Sequence, residues 1–298
     1  MVRKQTLRIS ALAIVVLLFA GLSTASVYTV SSQSDWKKGT FNGTSADRKD
    51  NSGTLGLGYI NNTDLTTPVW QFRMDRNIAG SGGTVYDYSG RGQDAETNGS
   101  VGTGASGIWG TNSFDFVEAD GDRLPIKHSY NSSGVIKKMT VSIWVKQEGS
   151  SSSQQMIASY DRSEYWRLSA DDCKNSNDGY IAFCWTDSAA TTHDSNVSWG
   201  GSGSGWHLVT VTFDGDRTNE VKYYVDGELK RSVDQVASGT YMGSGTSRYG
   251  YVNAGSEASS FAGSINNGHH FIGKLDEAVY WDSNSLSGTQ IETLYRFG

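Results

Sequence analysis

The chain reads as an antiparallel all-β sandwich closed by a short C-terminal helix. Three observations carry this. Apolar and polar residues alternate with period two in many short runs, the pattern of a half-buried strand. Gly is abundant at 36 residues, Pro is scarce at 2, and charged residues make up only 19% of the 298. Asp226-Gly227 separates two strand-like runs, and a type I′ hairpin needs positive φ at both central residues, which such a pair tolerates.

The region around that pair is the clearest. His207, Val209, Val211 and Phe213 alternate with Leu208, Thr210 and Thr212. A loop over Asp214 to Asn219 then leads to the strands Val221–Val225 and Glu228–Val233. Upstream, the polar residues 26–67 form an N-terminal segment or stalk, and the β pattern becomes dense from Pro68. Val69 to Asp75, Thr84 to Tyr86 and Ser113 to Val117 read as strands. In Met139 to Lys146, Val141, Ile143 and Val145 share one face while Ser142, Trp144 and Lys146 share the other. Gln155 to Ser159, Tyr165 to Ser169 and Tyr180 to Thr186 are three more strands. Ala237 to Asn267 reads as a loose Gly/Ser-rich loop, and His270 to Trp281 is the last strand. Ser287 with Gln290 makes a capping box, and Leu286 with Ile291 a hydrophobic staple, so a helix from Gly288 to Tyr295 ends the chain. Many short strands and one terminal helix indicate a two-sheet sandwich of jelly-roll type.

The N-terminus supplies an address. Arg3, Lys4 and Arg8 precede an apolar run from Ile9 to Leu22, followed by the small residues Ser23-Thr24-Ala25. This is the layout of a secretory signal peptide over residues 1–25. Left uncleaved, the uncharged stretch from Ile9 through Ser34 is long enough to anchor the chain in a bilayer with its body outside. Both readings export residues 26–298, secreted or at the cell surface. The net charge of −6 gives no bulk attraction for nucleic acid. Cys173 and Cys184 flank a turn-like segment and could close one loop in an oxidising compartment, although a symmetric hairpin there would set residue 173 opposite 180. Asn-x-Ser/Thr triplets start at Asn42, Asn61, Asn98, Asn131 and Asn196. A chain so rich in these residues produces such triplets by chance.

A series of motifs in fixed order resembles a known family. Met74-Asp75 is followed by Asp87-Tyr88-Ser89-Gly90-Arg91-Gly92, Gly107-Ile108-Trp109-Gly110, Phe114-Asp115-Phe116 and the Thr140 to Lys146 strand. Trp206-His207, Tyr224-Val225-Asp226-Gly227 and Gly273-Lys274-Leu275-Asp276-Glu277-Ala278-Val279-Tyr280 continue it. The order is similar to that of laminin-G-like, concanavalin A-like jelly-roll domains over residues 68–298. The resemblance implies two twisted antiparallel sheets and a use in binding glycans or proteins at cell surfaces. Enzymes also occur on the fold, so the fold alone fixes no function.

What the resemblance implies for sites follows. Such domains often hold one calcium ion, and Asp75 and Asp276 are its expected ligands here, with Asp87 and Asp115 weaker candidates. The competing reading is that Asp87 caps its own turn and Asp276 binds a buried amide. For a glycan platform, aromatic faces stack on sugar C–H faces. Trp185 and Trp199 flank the polar stretch Thr186 to Ser198, and Tyr241, Tyr249 and Tyr251 lie in the Gly/Ser-rich loop. These five are the ligand candidates. The alternative is that they staple long loops to the sandwich.

Catalysis has little support. Glu118, Asp120 and Asp122 have the same-face spacing that a pair of glycosidase carboxylates needs, but Gly121 makes the run look like a surface turn. The five histidines sit in no nucleophile motif. The expected function is therefore an extracellular module that binds a surface glycan or glycoprotein in adhesion. A glycoside hydrolase or lyase, and a structural envelope or filament protein, are the rivals.

Overall fold

In the computed structural model, residues 67–297 are described apart from 79, 109–111, 118–120, 132–133, 152, 174–178, 201–202, 204, 219 and 267–268. The signal or anchor segment, Asn42 and Asn61, and nearly all of the expected stalk thus lie outside the described residues. Among the described residues no helix is long and apolar enough to cross a membrane.

The first third of the domain holds β1 (Trp70–Phe72), β2 (Thr84–Val85), β3 (Ala95–Glu96), β4 (Gly102–Ser106), β5 (Asn112–Phe116) and β6 (Leu124–Tyr130). The middle adds β7 (Lys138–Gln147), β8 (Met156–Ser159), β9 (Trp166–Ser169), β10 (Tyr180–Thr186), β11 (Thr192–Ser198) and β12 (His207–Asp214). The last third adds β13 (Val221–Val225), β14 (Glu228–Val233), β15 (Arg248–Val252), β16 (Gly255–Ser256), β17 (Ile265–Asn266), β18 (Gly273–Asp282) and the helix α1 (Gly288–Phe297).

The strands form two large antiparallel sheets. One runs β14-β13-β12-β7-β18-β5-β4, with β1 also paired to β18. The other runs β11-β10-β9-β8-β15-β6-β3-β2. Val141, Ile143 and Val145 of β7 meet Leu168 of β9 and Phe183 and Trp185 of β10 in one core between the sheets. The opposite face of the first sheet carries Trp144, Leu208, Tyr224, Val279 and Trp281, and there Ile291 and Leu294 of α1 pack. The two-residue period of β7 thus feeds two separate apolar layers.

The local signals act as their chemistry requires. Asp226 and Gly227 have φ of 54° and 80°, and β13 pairs with β14 around them. Ser287 N–H donates to Gln290 Oε1 at 2.8 Å, and Gln290 N–H donates back to Ser287 Oγ at 3.3 Å. Leu286 and Ile291 lie together beneath α1.

Two expected loops are corrected. Ala237 to Asn267 is not a loose loop throughout: β15 within it pairs with both β6 and β8, and β16 pairs with β17. Thr186 to Ser198 contains β11, a polar edge strand paired with β10 from Thr192 to Ser198. Cys173 and Cys184 are disulfide-bonded, and within the sheet Cys184 lies opposite Arg167 of β9 on one side and Asp194 of β11 on the other.

Candidate functional site

The last long strand contains the feature that makes the site. Leu275, Ala278 and Tyr280 of β18 face the inter-sheet core, and Val279 and Trp281 face the opposite layer. Simple alternation from Leu275 would send Asp276 outward and Glu277 inward. The pairing of β18 with β7 instead shifts register between Asp276 and Val279, and Glu277 has φ of 45°. A bulge adds one residue and re-aims side chains next to it. Asp276 and Glu277 consequently point to the same place.

Asp75 reaches that place from the segment after β1. One carboxylate oxygen from each of Asp75, Asp276 and Glu277 lies within 4.8 Å of the other two, and both residues on the bulge are buried. Ile108 N–H donates to Asp276 Oδ2 at 3.1 Å, and Glu277 N–H donates to Oδ1 at 2.9 Å. Burial, then the neighbouring charges of Glu277 and Asp75, push the Asp276 carboxyl well above the usual carboxylate range. Gly107 lines the pocket closely: a Cβ there would stand 2.5 Å from Asp276 Oδ2. Three converging carboxylates and a backbone approach open only to glycine make an oxygen donor set of the kind a hard divalent cation takes.

The structure thus brings Asp75 and Asp276 together and adds Glu277, which strand periodicity hides. Asp87 is elsewhere. Its Oδ1 accepts from Gln71 N at 2.9 Å and Ser89 N at 2.8 Å, and its Oδ2 from Gln93 N at 2.9 Å, so it ties its own turn. Asp115 lies 3.6 Å from Lys274 Nζ and is not part of the carboxylate group. Cys173, Cys184 and Asp194 also cluster, but the two sulfurs are bonded to each other and are not available as thiolates.

The five aromatic candidates separate by burial. Trp185 is fully buried in the core, its ring 4.8 Å from Phe213 and 4.4 Å from His193. Tyr251 is buried, and its hydroxyl donates to Gly263 O at 2.9 Å. Trp199 is buried beside His207 at 5.7 Å. These three do not offer a face to a ligand: Trp185 and Tyr251 lie within the paired strands β10 and β15, and Trp199 is buried just after β11. Tyr241 and Tyr249 remain partly exposed. The Tyr241 hydroxyl donates to Asp216 Oδ1 at 3.0 Å, and Lys137 Nζ stands 4.9 Å from its ring centroid. Tyr249 packs edge-on against Phe261 at 6.5 Å.

Of the carboxylates considered for catalysis, Glu118 and Asp120 lie outside the described residues. Asp122 is fully buried and accepts from Ser100 N at 2.5 Å and Val117 N at 3.1 Å. It holds two backbone segments together.

Among the solved structures with the same architecture are several binding domains. The receptor binding domain of botulinum neurotoxin D superposes with a TM-score of 0.55 at 17% identity, covering 77% of this chain and 52% of that one. The serotype D ligand binding domain in complex with N-acetylneuraminic acid gives 0.52 at 17% identity, over 77% and 50%. The binding domain of Paraclostridial Mosquitocidal Protein 1 gives 0.54 at 13% identity, over 77% and 52%. This chain therefore spans about half the length of those domains, and at such identities the likeness is one of fold. No curated protein matches the sequence. Residues 126–292, more than half of the chain, match the family described as the concanavalin A-like lectin/glucanases superfamily. That span runs from β6 into α1 and takes in the bulged strand that carries Asp276 and Glu277, and on it the chain belongs to the concanavalin A-like lectin/glucanase superfamily.

Proposed function

We propose that this chain is an exported module that binds glycans, bare or on glycoproteins, through an aromatic face at the edge of the sandwich. The observation that carries the reading is the setting of Tyr241. On a lectin-superfamily sandwich it keeps part of its ring in solvent beside Asp216, Lys137 and Ser238, whose hydroxyl donates to Asp216 O at 2.6 Å. An apolar face ringed by charged and hydroxyl groups suits a sugar, which offers C–H patches and hydroxyls together. Tyr249 is the second candidate. The solved neighbours support the class of function, since several are binding domains and one is in complex with N-acetylneuraminic acid. This chain matches only half of that domain.

Asp75, Asp276 and Glu277 are proposed to hold a structural calcium ion. Calcium would supply the positive charge that three close carboxylates lack and would fix the bulge of β18 against the Gly107-Ile108 segment. The test of function is a glycan array probed with the chain from Ser26 onward, with calcium and again with a chelator. Binding to a defined glycan that falls in Tyr241→Ala is the expected result. Absence of binding in both conditions would overturn the reading.

A further inference from the structure

Beside β1 lies a small cleft lined among others by Arg73, Asp75, Arg76, Tyr86 and Tyr88. Its floor is Arg73, only 5% exposed. The Arg73 guanidinium stacks on Tyr88, with Cζ 4.3 Å from the ring centroid. Its Nε and Nη2 find no hydrogen-bond partner among the described residues. Those two nitrogens form one side of the guanidinium, the edge that grips both oxygens of a carboxylate at once. Leaving such donors buried and unpaired is costly, so they point to something that enters the cleft.

The rim says what kind of molecule that is. Tyr86 is 50% exposed, a high value for so large an apolar ring. Arg76 Cζ lies 4.9 Å from its centroid and adds a second positive charge. The carboxylate of Asp75, on the same cleft, belongs to the group with Asp276 and Glu277. A ligand must therefore carry a planar anion at its tip and an apolar face behind it. We propose that the cleft takes the carboxylate of an acidic sugar, with Arg73 bidentate on the anion and Tyr86 against the ring. Uronic and sialic acids share this chemistry. The proposal rests on the glycan-binding reading and names its ligand class.

The experiment titrates the chain from Ser26 onward with glucuronate, N-acetylneuraminate, glucose and N-acetylglucosamine, followed by NMR. The two acids are expected to bind and the two neutral sugars not. Arg73→Lys keeps the charge and loses the fork, and should weaken acid binding about tenfold or more. Tyr86→Ala, at an exposed position, tests the site even where an Arg73 variant folds poorly, and should weaken it about threefold or more. Acidic and neutral sugars binding alike, or acid binding that survives both substitutions, overturns the acidic cleft and leaves the glycan-binding reading standing. No binding by any sugar here, joined to a blank array, overturns both.

Discussion

His128 Nδ1 lies 2.8 Å from the hydroxyl of Tyr160, and the same hydroxyl accepts a hydrogen bond from Trp70 Nε1 at 2.9 Å. An indole nitrogen only donates, so the Tyr160 oxygen is its acceptor and the Tyr160 proton is left for His128. This order needs a neutral imidazole with a bare Nδ1. The relay links β1 of one sheet to β6 and the end of β8 in the other. The His128 ring stands 5.1 Å from Tyr130 and 5.5 Å from Tyr160. Burial, aided by the charge of Arg91, lowers its pKa to about 4 against an opposing effect of Asp87.

A pH dependence follows. In the unfolded chain His128 titrates at its ordinary 6.5, so between that value and about 4 the unfolded state binds more protons. Its contribution is full above pH 6.5 and is lost as the pH falls toward 4, a loss of up to about 3 kcal/mol. Burial raises the Asp171 and Asp282 carboxyls, which titrate with the opposite sign. The readout is therefore the difference between wild type and His128→Gln in urea midpoints at pH 7.5 and 4.5. The wild type should lose more on acidification, and equal losses in the two proteins would refute the assignment.

The Cys173–Cys184 bond closes a short loop, the two residues being 11 apart in sequence. Both cysteines are buried with Ala182 on the second sheet, and Gln154 Nε2 and Arg167 Nη2 both donate to Cys173 O. Chain-entropy reasoning puts the stabilisation at about 3 kcal/mol. The double variant Cys173→Ser/Cys184→Ser should melt several degrees lower, and the wild type should fall to match it under reductant. A wild type indifferent to reductant would show that the crosslink adds nothing.

The strands legible in the sequence were those with an apolar face, such as β7, β10, β12 and β13, because burial on one side writes a period of two into the residues. β4 (GTGAS) and β11 (THDSNVS) carry no such face. They are edge strands set by pairing with β5 and β10, a tertiary effect that local pattern does not record. The same limit misread the aromatics: Trp185 neighbours polar sequence but sits in a fully paired strand. Asp75 and Asp276 were expected as ion ligands through the ordered motifs of a family, not through periodicity, and the structure shows only that their carboxylates lie together. Glu277 was missed because a bulge breaks the alternation rule at that residue.

The acidic group gives a metal prediction. Asp276 is buried between Asp75 and Glu277, and its ionised form is disfavoured without a compensating cation. Calcium at millimolar concentration should raise the melting temperature, and chelator should lower it, since a ligand that binds only the folded state stabilises it by mass action. Asp276→Asn should erase the difference between the two conditions. A melting curve unmoved by calcium in the wild type would remove the ion from the site.

Trp185 and Tyr241 have the same chemistry in sequence and opposite fates in the structure, and a pair of substitutions separates them. Trp185 fills the core between His193 and Phe213. Trp185→Ala leaves a cavity and should cost about 3–5 kcal/mol in denaturant unfolding. Tyr241→Ala removes a partly exposed ring that meets Asp216 and Lys137 and should leave the melting temperature close to that of the wild type. Glycan affinity should respond in the reverse order. It should fall in Tyr241→Ala, while whatever fraction of Trp185→Ala remains folded should bind as the wild type does. If the folded fraction of Trp185→Ala loses affinity and Tyr241→Ala keeps it, the binding face lies at the β10–β11 edge and not beside Asp216.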